Sequence, residues 1–119
     1  YDPQADSWQR VASMPRGLHG HAAAAIGGKI YVTGGYAQAT VNSAYVYNPQ
    51  ADAWTQLASM GTARWAHASA AVGGKLYVFG GKSVGRRLST AEIYDPASNS
   101  WAQGPSLASA RQDLAVVAL

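Results

Sequence analysis

The sequence predicts an all-β fold built from a repeated unit, and three observations carry that prediction. The stretch Gly27–Gly35, Gly-Gly-Lys-Ile-Tyr-Val-Thr-Gly-Gly, returns 46 residues later as Gly73–Gly81, Gly-Gly-Lys-Leu-Tyr-Val-Phe-Gly-Gly. Tyr1-Asp2-Pro3, Tyr47-Asn48-Pro49 and Tyr94-Asp95-Pro96 recur in step with it, and Trp8, Trp54 and Trp101 each follow their tyrosine by seven residues. No stretch sustains the 3.6-residue apolar period of a packed helix. A self-similar period of this length is the mark of stacked supersecondary units.

Each unit holds four strand candidates. The first, His19–Ile26, is small and apolar, and its copy is Ala66–Val72. The second, Lys29–Thr33, is rich in β-branched and aromatic residues that suit a pleated, packed surface, and it repeats as Lys75–Phe79. The leading Gly-Gly predicts a tight hairpin between first and second strands, since glycine reaches positive φ without a Cβ clash. The trailing Gly-Gly predicts a place where another backbone comes close. The third strand is Ser43–Tyr47, repeated as Ala91–Tyr94, and the fourth centres on Trp54 to Leu57, repeated as Ser100 to Gln103. Between third and fourth, Asn48 to Asp52 and Asp95 to Asn99 have the Pro and Asx content of turns.

The order His, Gly-Gly-Lys-Ile/Leu-Tyr-Val-x-Gly-Gly, Tyr-Asn/Asp-Pro, Trp, Met resembles the kelch repeat over essentially the whole chain. The resemblance implies a β-propeller in which each repeat is a four-stranded antiparallel blade. A second strand apolar on both sides, such as Ile30-Tyr31-Val32, suits a sheet stacked on both faces, and an alanine-rich first strand suits the crowded position nearest the axis. Residues 1–18 then read as the end of one blade, 19–64 and 65–110 as full repeats, and 111–119 as the first strand of a further blade. These repeats, about two and a half in all, make an incomplete ring, since kelch rings hold about six or seven blades. Either the chain is a piece of a longer protein, or copies self-associate to close or extend a ring.

Composition narrows the function classes. Hydrophobic residues make up 48% and charged residues 13%, a packing-rich balance. The net charge of +3 is mild and spread out, with only Arg86-Arg87 adjacent, so no nucleic-acid patch is expected. No apolar run approaches the roughly 18 residues of a membrane span. The absence of cysteine excludes disulfides and thiolate metal sites. No spacing supports a nucleophile, base and orienter set, so neither a catalytic residue nor a cofactor is expected. His21 and His67 recur at repeat spacing, but Leu114 stands at the third position, so a structural hydrogen-bonding role is expected and no metal.

In a repeat protein, positions shared by all units serve packing, and the differing loop positions of one face are where binding is written. Trp65 stands where the other units have His19 and Gln112. Tryptophan is enriched at binding hot spots, although packing on a neighbouring loop is the structural alternative. Lys82-Ser83-Val84-Gly85-Arg86-Arg87 is the most basic loop, and its counterpart opens instead on Tyr36. Lys82, Arg86 and Arg87 are candidates for an anionic ligand; the alternative is a solvated loop. Arg64 and Arg111 occupy equivalent positions, with Arg16 in the same kind of link, and are binding candidates or contacts to a neighbouring blade. Kelch proteins that capture acidic peptides can carry a further Arg two residues on, where this chain has Ala66 and Asp113. The expected function is therefore a non-catalytic module that binds a protein or peptide through variable loops. Alternatives are part of a sugar-active kelch enzyme, resembling galactose oxidase or sialic-acid epimerases, or a purely structural fragment. The copper site of the galactose-oxidase-like enzymes depends on a Tyr–Cys crosslink that a chain without cysteine cannot form.

Overall fold

The computed structural model describes residues 1–119. Two four-stranded antiparallel sheets form, as the glycine-bracketed repeats require. In the first, β1 (Ala22–Ile26), β2 (Lys29–Thr33), β3 (Ala44–Asn48) and β4 (Ala53–Gln56) lie in sequence order. In the second, β5 (Ala68–Val72), β6 (Lys75–Phe79), β9 (Ala91–Asp95) and β10 (Ser100–Gly104) repeat that order. The loop between β6 and β9 carries a small hairpin of its own, β7 (Lys82–Ser83) and β8 (Arg86–Arg87). Sequence reading left this loop irregular. Val84-Gly85 turns it with φ of 47° and 77°, the doubly positive pair that a two-residue hairpin loop favours.

The alanine strands β1 and β5 lie side by side, so the two sheets converge at their first strands. Between the sheets sits a core of Tyr31, Met60, Leu76, Val78 and Tyr94, flanked by Ala24, Ile26, Val46, Leu57 and Trp101. Alternation along β6 puts Leu76 and Val78 in this core and turns Tyr77 and Phe79, both half-buried, to the far side. The trailing glycine pairs do bring a second backbone in. A Cβ on Gly34 would collide with the Arg64 carbonyl oxygen, and one on Gly81 would stand 2.7 Å from that of Trp65.

The first strands are shorter than expected. Both His19–Ile26 and Ala66–Val72 lose their leading residues because Gly20 and Ala66 adopt φ of 65° and 55°, which breaks the strand. These residues instead form a rim: Ala66 N–H donates to Gly20 C=O, and Asp113 N–H donates to Ala66 C=O, each at 2.8 Å. Residues 111–119, read as a lone first strand, form none. A first strand needs a second strand to complete its hydrogen bonds, and only Arg111 and Asp113 among these residues join the backbone network through their own N–H groups.

Attachment of each sheet to the link that precedes it uses one device twice. Tyr47 OH donates to Asp52 Oδ1 at 2.7 Å, and that oxygen also accepts Ala12 N–H at 2.8 Å, while Trp54 Nε1 donates to Ala12 C=O at 2.9 Å. In the next unit Tyr94 OH donates to Asn99 Oδ1 at 2.7 Å, Ala58 N–H donates to the same oxygen at 3.0 Å, and Trp101 Nε1 donates to Ala58 C=O at 2.8 Å. One alanine of each link is thereby held by both its backbone groups. The Ala12 N–H lowers the Asp52 carboxyl pKa below its ordinary value.

Candidate functional site

The links that enter β1 and β5 and the loops that follow β2 and β6 meet on one face. His19 and Tyr36 exchange backbone hydrogen bonds, and Trp65 and Lys82 do the same one repeat later. The register therefore brings the same two repeat positions together in each sheet. His19 and Tyr36 rings lie 5.3 Å apart, Tyr36 and Trp65 5.7 Å, and His19 and Trp65 5.9 Å in an edge-on arrangement. Lys82 Nζ stands 5.8 Å from the Trp65 ring centre, within cation–π range. At these separations the rings pack on one another as a ledge, with no space for a guest between them. Tyr36, Trp65 and Lys82 are half-buried and His19 is exposed, so the ledge offers partly solvated aromatic surface next to a cation.

The ledge continues into basic ground. Lys82, Gly85, Arg86, Arg87, Ala110 and Gln112 line a shallow groove. A second groove adjoins it along Arg87 and Ala110 to Leu114. Arg86, Arg87 and Arg111 are exposed. The Arg111 backbone is fastened to the hairpin, with its N–H donating to Leu88 C=O at 2.9 Å and its C=O accepting Gly81 N–H at 2.7 Å. Asp113 supplies a carboxylate on the same rim and accepts from Gln112 Nε2 at 3.0 Å. The surface can stack a planar or apolar group and pair with a carboxylate or phosphate.

Arg64 is not part of this surface; of the two roles open to it, binding candidate or contact to a neighbouring blade, its geometry matches the contact. It is fully buried, and its guanidinium is spent inside the protein. One terminal nitrogen donates to Gly80 C=O at 2.8 Å and Thr90 C=O at 3.1 Å, and the other donates to Glu92 Oε2 at 2.9 Å. Glu92 in turn accepts Gly61 N–H at 2.6 Å and Thr62 N–H at 3.2 Å. The pair ties the link before Trp65 to the second sheet, so Arg64 bears on the ledge by positioning its neighbour. Glu92 escaped sequence reading because its counterpart is Tyr45; a lone carboxylate inside an apolar strand was the available signal.

His67 joins the sheets. Its Nε2 lies 2.9 Å from Thr33 Oγ1 at the end of β2. Burial first, then the charges of Arg64 and His21, push its pKa down to about 3. The ring is therefore neutral in ordinary buffers. His21, its repeat equivalent, is exposed.

A family model described as the KLHDC2/KLHL20/DRC7 Kelch-repeats domain matches residues 1–118. No curated protein matches the chain.

Proposed function

Because the chain belongs to the kelch-repeat family, we propose that it is a non-catalytic module that binds a protein or peptide on the ledge and basic hairpin. The observation that carries this reading is the meeting of His19, Tyr36, Trp65 and Lys82. They occupy two equivalent positions in successive repeats, yet no residue type recurs between the two units. Positions freed from the repeat pattern and gathered on one face are where a scaffold carries specificity. Trp65 provides the anchor, and Lys82, Arg86, Arg87 and Arg111 favour a ligand with carboxylates or phosphates beside an apolar side chain. Fold analogy supports binding as the role and does not choose the ligand.

The test is selection of a displayed random peptide library on the full chain, followed by titration of the recovered peptides. Trp65→Ala is expected to weaken binding about tenfold or more, the usual size for a hot-spot tryptophan. Arg86→Ala with Arg87→Ala is expected to weaken it and flatten its salt dependence. Recovered peptides that bind all variants equally would refute the site.

A second reading, self-association, is favoured by the far side of the second sheet, where Tyr77 and Phe79 stack with ring centres 6.3 Å apart and remain half-buried. Their partners on the other side of the strand are covered by the first sheet. Light scattering after size exclusion would show a dimer under this reading and a monomer otherwise.

A further inference from the structure

The hairpin between β7 and β8 turns on a residue that its backbone disfavours. Val84 has φ of 47°, and it is the one β-branched residue among the seven non-glycine residues with positive φ. Four of the others are Asp or Asn (Asp6, Asp52, Asn99 and Asp113), whose short side chains tolerate this region. The loop of the first sheet has the same left-handed backbone at the third residue after its glycine pair, Gln38 at φ 65°, without a β-branched side chain. Asn before Gly85 is the pair that such a turn favours. No packing compensates for the valine, because Val84 is 89% exposed. A strained residue that nothing inside the protein needs points to a task on the surface.

Val84 lines a third groove, with Thr62, Ser83, Arg86 and Leu88. The backbone on both sides of it is held. Thr62 N–H donates to Glu92 Oε2 at 3.2 Å, and Leu88 N–H donates to Gly81 C=O at 2.8 Å. Alternation along the hairpin puts the cross-strand pair Ser83 and Arg86 on one side, and Lys82 and Arg87 on the other, where Lys82 meets the Trp65 ring. The run from Gly81 to Thr90 holds three cations and no carboxylate. The two salt bridges of the chain, Arg64 with Glu92 and Lys75 with Asp95, leave Arg86 unpaired.

We propose that Val84 is a specificity-determining contact for the ligand of the basic hairpin. It covers an aliphatic side chain of a peptide segment lodged between Thr62 and Leu88, and a neighbouring carboxylate of that segment pairs with Arg86. The proposal rests on the reading of the hairpin as a ligand surface, and it adds a second apolar contact on the side of the hairpin away from Trp65. The Val84 methyls and Leu88 form the apolar wall, and Arg86 supplies the charge that selects an acidic neighbour. Valine has one stiff side-chain torsion, so little freedom is lost when it is covered.

The test compares Val84→Asn and Val84→Ile in the full chain, by urea unfolding and by titration with the peptides recovered from the displayed library. Val84→Asn is expected to raise the urea midpoint, with the folded-to-unfolded ratio up about fivefold as the left-handed strain is relieved. The same variant is expected to bind the recovered peptides about tenfold more weakly, the size expected for one covered aliphatic side chain. Val84→Ile keeps both the strain and the apolar contact, so its midpoint should stay in place and its binding within about threefold. A gain in stability with unchanged peptide binding in Val84→Asn would overturn the proposal, and so would a loss of stability in that variant. Peptides that depend on Trp65 but not on Val84 would overturn it and leave the ledge reading in place. Peptides that depend on Val84 but not on Trp65 would uphold it and remove Trp65 as the anchor. A library that yields no binder would overturn both.

Discussion

The two sheets share a sequence pattern but attach to their links differently. In both, a Tyr–Asx–Trp set grips one alanine of the preceding link, with nearly the same distances. Beyond that grip they part. The second link carries Arg64, buried against Glu92, where the first has Leu18 and Tyr45 at the equivalent places. The second has His67 buried on Thr33, where the first has an exposed His21. The grip is thus the generic joint of the repeat. The ion pair and histidine are additions confined to the link that bears Trp65. If Trp65 is the anchor proposed above, the extra fastening lies where a binding residue needs its backbone held.

Breaking the additions should cost most. Arg64→Leu leaves the Glu92 carboxylate buried with only two backbone donors, and about 3–5 kcal/mol of stability should be lost, read from the urea midpoint. Glu92→Gln removes the charge partner and keeps the shape, so a loss at the lower end of that range is expected.

The His67 comparison comes next and has a definite sign. Its folded pKa, about 3, lies below the ordinary 6.5, so the unfolded chain binds the proton more readily. Stability from this group is complete above pH 6.5 and is lost as pH falls toward about 3. The slope approaches about 1.4 kcal/mol per pH unit between those limits. Urea unfolding at a series of pH values should show it, and His67→Gln should flatten it.

The shared grip should cost less per part. Asn99→Ala removes the acceptor of two hydrogen bonds and should cost about 1–2 kcal/mol, and Trp101→Phe, which loses one donor, about 1 kcal/mol. Asp52→Ala and Trp54→Phe should cost similar amounts if the two joints are equivalent. At the bottom of the scale, Arg86→Ala and Arg87→Ala should change stability by less than about 0.5 kcal/mol, since both side chains are exposed. Any larger change would mean that the hairpin is a structural part and not a binding surface.

Much of this architecture was legible in the sequence because glycine pairs and the Tyr…Trp spacing bracket the strands of both sheets. Trp65, Tyr36 and Lys82 stood out as departures from the repeat, but their meeting could not be read, since it depends on how neighbouring sheets converge. Arg64 and Arg111 read alike, as binding candidates or contacts to a neighbouring blade, because they occupy equivalent positions. One is buried against Glu92 and the other exposed, and only the neighbouring carboxylate distinguishes them. Asp6, Asp52 and Asn99 recur five residues after their tyrosines, and that register could have been noticed. They passed as turn residues because Asx side chains usually bond their own turn. The third and fourth strands were placed within a residue or so of their bounds. The first strands were overrun because Ala66 takes a left-handed backbone that its side chain does not announce.

The most direct test of the central claim, that the Arg64–Glu92 pair is a fastening particular to the link that bears Trp65, is to give those two positions the residues of the first repeat, Leu18 and Tyr45. The variant Arg64→Leu with Glu92→Tyr should unfold within about 1 kcal/mol of the parent, because both members of the buried pair are replaced together. If the double variant is as unstable as Arg64→Leu alone, the two positions are not exchangeable fastenings, and the account of why Trp65 is held there fails.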